Sequence, residues 1–326
     1  MLNIIFVSGV INESHLVYVA SYIEKIKVQY NLNFKIYYED NFRFLSDQKI
    51  DTSIVEKWLG QVTYIKHGSC VRTGFRCRII HLFIGSVGIK PIIQMRLRNL
   101  FSKITNVVID EGIGSVSDIN TMKNVYVRER NLSQLQAYLY AFIYLYVKRG
   151  FLAKNIWRLF NGITPNEKLM HFIKKKCEPL KVENSSYVLL LTQPWVKLGV
   201  LTEREYHDYV LDLIKHVTDA NLKLVVKPHP SEDIFLYESL KLNLIRCKTP
   251  IELCFDHVYC KSVIGFNSTS LILLNAIYNV PTYRLRYGKL EDIVTFSPQQ
   301  ESLFNKYSSN PMSFVEISKI LNASEQ

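Results

Sequence analysis

The chain has 326 residues, 48% of them hydrophobic, and 40 Lys and Arg against 29 Asp and Glu give a net charge of +11. That length is comfortable for two domains of ordinary size, and the basic balance suits anionic partners: nucleotides, nucleic acid or an acidic membrane leaflet. Six scattered cysteines without a CxxC pair argue against a zinc site and fit reduced thiols in a cytosol. No run of about 18 apolar residues occurs, so no transmembrane helix is expected.

In chain order, Leu2–Val10 reads as a first strand rather than a signal peptide, because it is short and lacks a basic leader. Glu13–Gln29 has helical periodicity, Phe34–Tyr38 and Val62–Lys66 read as strands, and Ile79–Ile84 reads as a buried strand. Pro91–Phe101 follows as a basic helix. The strand Thr105–Ile109 runs straight into Asp110-Glu111-Gly112. Residues 132–176 break the rhythm: Leu135–Val147 is crowded with Tyr and Leu, and basic residues follow. This stretch fits either a core helix or an interfacial surface on an anionic leaflet.

A second α/β rhythm starts at Tyr187–Thr192 and continues with helix Arg204–Thr218, strand Lys223–Lys227 and helix Ile234–Lys241. A short strand near Leu244–Arg246, helix Pro250–Cys254, strand Ser262–Ile264, a helix from about Ser270 to Tyr278 and a last strand Pro281–Leu285 complete it. Strands alternating with helices imply βαβ units and parallel sheets. The expected domains are residues 1–180 and 181–326, both Rossmann-like, facing a cleft.

The polar motifs sit where such sheets bind ligands, at the carboxyl ends of strands. In Lys227-Pro228-His229-Pro230, two prolines fix the backbone around a histidine and remove two amide donors. A hydrogen-bonding imidazole there can stabilise charge on a departing phosphate, with Lys227 beside it; a prolyl turn with a backbone-satisfied histidine is the structural alternative. One carboxylate of Asp110-Glu111 can act as a general base, and Gly112 permits a tight turn; an acidic capping turn would read the same. Gly265-Phe266-Asn267-Ser268-Thr269-Ser270 places three hydroxyls and an amide at a helix start, suited to capping or to a phosphate. Gln193-Pro194 ends a strand of the same sheet, and Glu252 is a candidate for a ribose diol or a solvated helix residue. No DxD tripeptide, Walker loop or early GxGxxG occurs, which favours a metal-independent reaction and disfavours ATPase and NAD readings.

In this order, Asp110-Glu111-Gly112, His229-Pro230 and Ser268-Thr269-Ser270 resemble the three motifs of the bacterial GT-B sialyltransferases, a group that includes capsule polysialyltransferases and lipooligosaccharide sialyltransferases. The resemblance implies a metal-independent, inverting transfer of sialic acid from CMP-sialic acid, with no other cofactor. Asp110 would be the general base and His229 the general acid or phosphate partner. Lys227, Pro230, Asn267, Ser268, Thr269 and Ser270 would bind the donor, with Glu252 on the ribose; Glu111, Gly112 and Gln193 would contact the acceptor or support a loop. The acceptor would be a terminal sugar, α-2,3-linked galactose by family frequency, on a lipid-linked surface glycan such as capsule, lipopolysaccharide or O-antigen. The enzyme would work in the cytoplasm, peripheral on the inner leaflet, without nucleic acid. Gln193-Pro194 with His229-Pro230 is also similar to the capsule Kdo transferases, whose donor is CMP-Kdo. A non-catalytic nucleic-acid- or membrane-binding protein would explain the charge but not three strand-end motifs.

Overall fold

The run Ile4–Val7 is buried on both faces, as a central parallel strand requires. The computed structural model describes residues 2–40, 49–73, 76–85, 87–110, 112–288, 290 and 295–323. The chain divides into two compact units, residues 1–162 and 163–326.

In the first unit, β1 (Asn3–Ser8) leads to α1 (Glu13–Tyr30), β2 (Lys35–Glu39), α2 (Thr52–Leu59) and β3 (Val62–Ile65). Then come β4 (Arg78–Ile84), α3 (Ile89–Arg98), β5 (Lys103–Ile109), α4 (Ile119–Arg130) and α5 (Gln134–Phe142). A π-helical segment, Ile143–Leu152, continues α5 before β6 (Asn155–Trp157) and β7 (Phe160–Asn161). The sheet order is β3-β2-β1-β4-β5-β6, with every pairing parallel. Asn12 caps α1 by accepting the His15 N–H, and Asn31 closes it in the left-handed region at φ 47°.

The second unit starts with β8 (Thr164–Pro165), α6 (Glu167–Lys176), β9 (Tyr187–Leu191), α7 (Glu203–Thr218) and β10 (Lys223–Lys227). It continues with α8 (Phe235–Ser239), β11 (Asn243–Leu244), α9 (Ile251–Cys254), β12 (Cys260–Gly265), α10 (Thr269–Tyr278) and β13 (Thr282–Arg284). Helices Pro298–Tyr307 and Phe314–Ala323 follow. The sheet runs β11-β10-β9-β12-β13, again all parallel. Its core packs Tyr206, Tyr209, Val210, Leu213 and Val217 of α7 against Val188 and Leu190. These α7 positions form one helical stripe.

The expected boundary near residue 180 differs from the observed division. The segment after α6 is tied to the second unit, because Glu178 N–H donates to Leu253 O at 2.8 Å and Leu180 N–H to Cys254 O at 3.0 Å. The core-helix alternative for Leu135–Val147 holds for one face, since Ala137, Ala141 and Tyr144 are buried and the last two join a core cluster with Met122. In α5 only Ala137 and Ala141 are buried, while Leu135, Leu139 and Tyr140 face solvent.

Candidate active site

In both large sheets the first strand of the sheet in chain order lies inside it, flanked on one side by the second, β2 beside β1 and β10 beside β9. Its other neighbour is β4 in the first unit and β12 in the second. Chain connections therefore diverge between β1 and β4 and between β9 and β12, and the carboxyl ends of strands at such switch points are the ligand edge of α/β sheets. At the second switch point, Thr192 and Gln193 follow β9, the Asn267–Ser270 motif follows β12, and His229 follows the neighbouring β10. The sequence motifs of this half are thus brought to one edge. Gly265 ends β12 opposite Leu191 of β9. A Cβ there would lie 3.0 Å from the Leu191 carbonyl oxygen, so only glycine lets the strand ends close up.

Hydrogen bonds close the His229 turn. Its N–H donates to Thr192 Oγ1 at 2.9 Å and to Glu232 Oε2 at 2.7 Å, and Glu232 N–H returns to His229 O at 2.9 Å. Ser231 N–H donates to His229 Nδ1 at 3.2 Å. An amide can only donate, so Nδ1 is the acceptor and the neutral ring carries its proton on Nε2. Burial pushes the imidazole down to about 4, and Lys227 and Lys197 add to this. At neutral pH the ring is therefore an uncharged Nε2–H donor rather than an imidazolium acid. Lys227 Nζ donates to the Cys247 carbonyl. Pro228 is buried and Pro230 exposed, so the prolines shape the turn from opposite sides.

The hydroxyl cluster divides its tasks. Ser268 caps α10, its Oγ accepting Ser270 N–H at 3.2 Å. Because Oγ accepts there, its own proton stays available to donate to a ligand. Ser270 donates its hydroxyl to Glu252 Oε1 at 2.6 Å. Glu252 is buried rather than solvated, and burial pushes its carboxyl above the ordinary value while the Ser270 bond opposes this. The Glu252 carbonyl accepts from Tyr278 OH at 2.7 Å. Asn267 Oδ1 is buried without a hydrogen-bond partner among the described residues.

In the first unit, Asp110 directly follows β5 and is 3% exposed. Its Oδ1 accepts from Arg149 Nη2 at 2.7 Å and its Oδ2 from Leu159 N–H at 3.2 Å. Burial pushes the carboxyl up, while the guanidinium and the amide pull it back. Arg149 lies on the π-helical segment, and its Nη1 also donates to Ser115 O at 2.6 Å. Gly112 has φ 120°, a backbone open to glycine. Glu111 lies outside the described residues.

Three partners went unread in the sequence. Arg149 was one basic residue among several in a cluster, with nothing to single it out. Thr192 looked like the last residue of a strand. Glu232 carried a signal, since an acid three residues after a turn residue can reach back to its N–H, as in a capping box. Among the described residues no group of three or more His, Cys, Asp or Glu is placed to hold a metal, and no helix is long and apolar enough to cross a membrane.

Residues 11–286 match the model of the alpha-2,8-polysialyltransferase family, POLYST. No curated protein matches the chain. Among solved structures, the glycotransferase of kitacinnamycin is similar at 10% identity and TM-score 0.51, over 99% of this chain and 88% of that one. A UGT transferase from Siraitia grosvenorii in complex with UDP matches at 9% identity and TM-score 0.48, covering 100% and 92%. MurG of Acinetobacter baumannii matches at 8% identity and TM-score 0.42, covering 100% and 90%. Two Rossmann-like units with parallel sheets, matched over 99% of the chain by the first of these, have the GT-B fold. With its motifs inside the matched span, the chain belongs to the alpha-2,8-polysialyltransferase family.

Proposed function

We propose that the protein is an inverting, metal-independent sialyltransferase that uses CMP-sialic acid to extend a bacterial surface glycan. The observation that carries this reading is the gathering of His229, Gln193 and Asn267–Ser270 at one switch point, within a chain of the polysialyltransferase family. The His229 Nε2–H donates to the phosphate as CMP departs, and Lys227 adds positive charge. The Ser268 hydroxyl and the amides at the α10 N-terminus receive the remaining phosphate oxygens. Thr269 and Asn267 complete that wall, and Pro230 shapes it. Glu252, held by Ser270, offers its carboxylate to the ribose.

Asp110 takes the proton of the acceptor hydroxyl. The acceptor oxygen bonds to the anomeric carbon as the bond from that carbon to the phosphate oxygen breaks, and CMP leaves with the electron pair. Each carboxylate oxygen of Asp110 has a second lone pair beyond the bond it now accepts, so the Arg149 pair does not block this role. A single displacement inverts the anomeric centre. Glu111 and Gly112 belong to the acceptor side, and Gln193 supports the loop that follows β9. CMP carries a single phosphate, which these donors can neutralise without a metal.

The acceptor is a terminal sugar of a lipid-linked glycan of capsule, lipopolysaccharide or O-antigen type. A galactose joined α-2,3 is one candidate. The family match favours a second, a terminal sialic acid joined α-2,8. The protein works in the cytoplasm, lying peripherally on the inner leaflet. Exposed Leu97 and Phe101 near Arg96 and Arg98, with Leu139 and Phe151 of the α5 region, support that contact.

The test is parallel incubation with CMP-sialic acid and CMP-Kdo, with EDTA present, on galactosyl and sialyl acceptors. Transfer from CMP-sialic acid supports the reading; transfer from CMP-Kdo alone would replace it with the Kdo reading, and turnover of neither would refute both.

A further inference from the structure

We propose that Glu232 is a positioning residue that holds the His229 turn so that Nε2–H faces the donor. This deepens the functional reading above and rests on the assignment of His229 to the departing phosphate.

Glu232 is the point where four elements meet. Its Oε2 accepts both the His229 N–H, at 2.7 Å, and the Thr192 hydroxyl at the end of β9. The Thr192 oxygen in turn accepts the same His229 N–H at 2.9 Å. Its Oε1 accepts the Tyr237 hydroxyl of α8 at 2.9 Å, and Tyr237 OH lies 2.9 Å from Tyr206 OH of α7. The Glu232 amide closes the turn onto His229 O. A side chain reaching back three residues to an N–H, with the backbone bond running the other way, has the geometry of a capping box. Here it caps a turn that carries a histidine rather than a helix.

The chemistry requires a carboxylate. Two donors converge on Oε2 and the Tyr237 hydroxyl on Oε1, so a proton on either oxygen competes with one of the three. When the carboxyl takes up a proton, one donor loses its acceptor and the turn loosens. Burial pushes Glu232 up to about 6, against the bonds from Thr192, His229 N–H and Tyr237. The titratable groups that face it are Tyr206 and Tyr237, both pushed further above their ordinary range by burial, and the His229 ring, which stays neutral above about 4. The charged Lys227 and Lys197 bear on that ring. Between pH 4.5 and 8 Glu232 is thus the group of this cluster that changes charge.

The experiment uses the full chain labelled with 15N-histidine, the His229 signals being assigned from their loss in His229→Gln. Long-range 1H–15N spectra between pH 4.5 and 8 report the tautomer. Wild type is expected to hold the Nε2–H form at pH 7.5 and to show a perturbation centred near pH 6. Glu232→Gln, which keeps the size and one acceptor, loses that perturbation, and Glu232→Ala shows mixed tautomers. With CMP-sialic acid, Glu232→Ala lowers kcat about tenfold or more while KM stays within about threefold, the pattern of a misplaced group rather than a lost binding contact. A perturbation retained in Glu232→Gln, or an unchanged tautomer and kcat in a folded Glu232→Ala, would overturn the proposal. If the alanine variant does not fold, the glutamine variant decides. Correct spectra from a wild-type chain that turns over no CMP-sugar would refute the donor assignment of His229 but not its coupling to Glu232, so the two failures are distinct.

Discussion

The Arg149 guanidinium meets the Asp110 carboxylate at 2.7 Å, with the Asp side chain 3% and the Arg 10% exposed. A wide-turned π-helical segment reaches back across 39 residues of sequence to neutralise the acid at the end of β5. Such helical defects recur at functional sites.

Removing one partner of a buried ion pair leaves an uncompensated charge. Arg149→Met is expected to cost about 3 kcal/mol at neutral pH, read from urea midpoints. The Asp110 carboxyl is already pushed up from 3.8, so folding binds a proton at this site. Its contribution to stability is complete below the unfolded value and falls as pH rises through the folded one. Loss of Arg149 steepens that fall, and equal slopes in wild type and variant would contradict the pairing.

His229 lies below its ordinary value, at about 4, so the unfolded chain binds the extra proton between pH 4 and 6.5. Its contribution therefore favours folding increasingly as pH climbs through that window. The rate of sugar transfer should show no limb from this ring between pH 5 and 8. His229→Ala is expected to lower kcat about 100-fold or more, the scale of a lost charge-stabilising donor. A rate that falls as pH rises through 6.5, a fall absent from this variant, would show that imidazolium, not the neutral ring, is the working form.

Ser270 supplies a hydrogen bond to a buried carboxylate. Ser270→Ala should destabilise the second unit by about 1–3 kcal/mol and push Glu252 further up. Adding Glu252→Gln removes the buried charge, and the double variant should lose less than the sum of the singles. Strict additivity in thermal unfolding would show that the two do not interact.

Leu97, Phe101, Leu139 and Phe151 are exposed, Phe101 at 82% and Phe151 at 84%. Changing all four to Ser should weaken binding to vesicles containing anionic lipid while leaving the unfolding midpoint within about 1 kcal/mol, as surface changes do. Undiminished vesicle binding would remove these side chains from the contact.

The strand pattern was legible because buried parallel strands are continuous apolar runs: Ile79–Ile84 became β4 and Tyr187–Thr192 became β9, each shifted by a residue at one end. The helix Thr52–Leu59 and the two helices after residue 297 were not read, since eight to ten residues make too short a window to separate a helical stripe from a loop. The site residues at strand ends were legible as motifs; the residues that hold them were not. Arg149 lies 39 residues from Asp110 and Thr192 37 from His229; the π-helical segment carries the first pair together and the β9–β10 register the second. The tasks of Ser268 and Ser270 also depended on which neighbour each hydroxyl finds.

The central claim, that this family member moves sialic acid from CMP without a metal, is tested most directly by product analysis. The chain, CMP-sialic acid and sialyl or galactosyl acceptors are incubated in EDTA, and the new linkage is read by NMR. One CMP released per sugar transferred, with an inverted anomeric centre, is the predicted result. Release of CMP without transfer, dependence on a divalent cation, or retention at the anomeric carbon would contradict it.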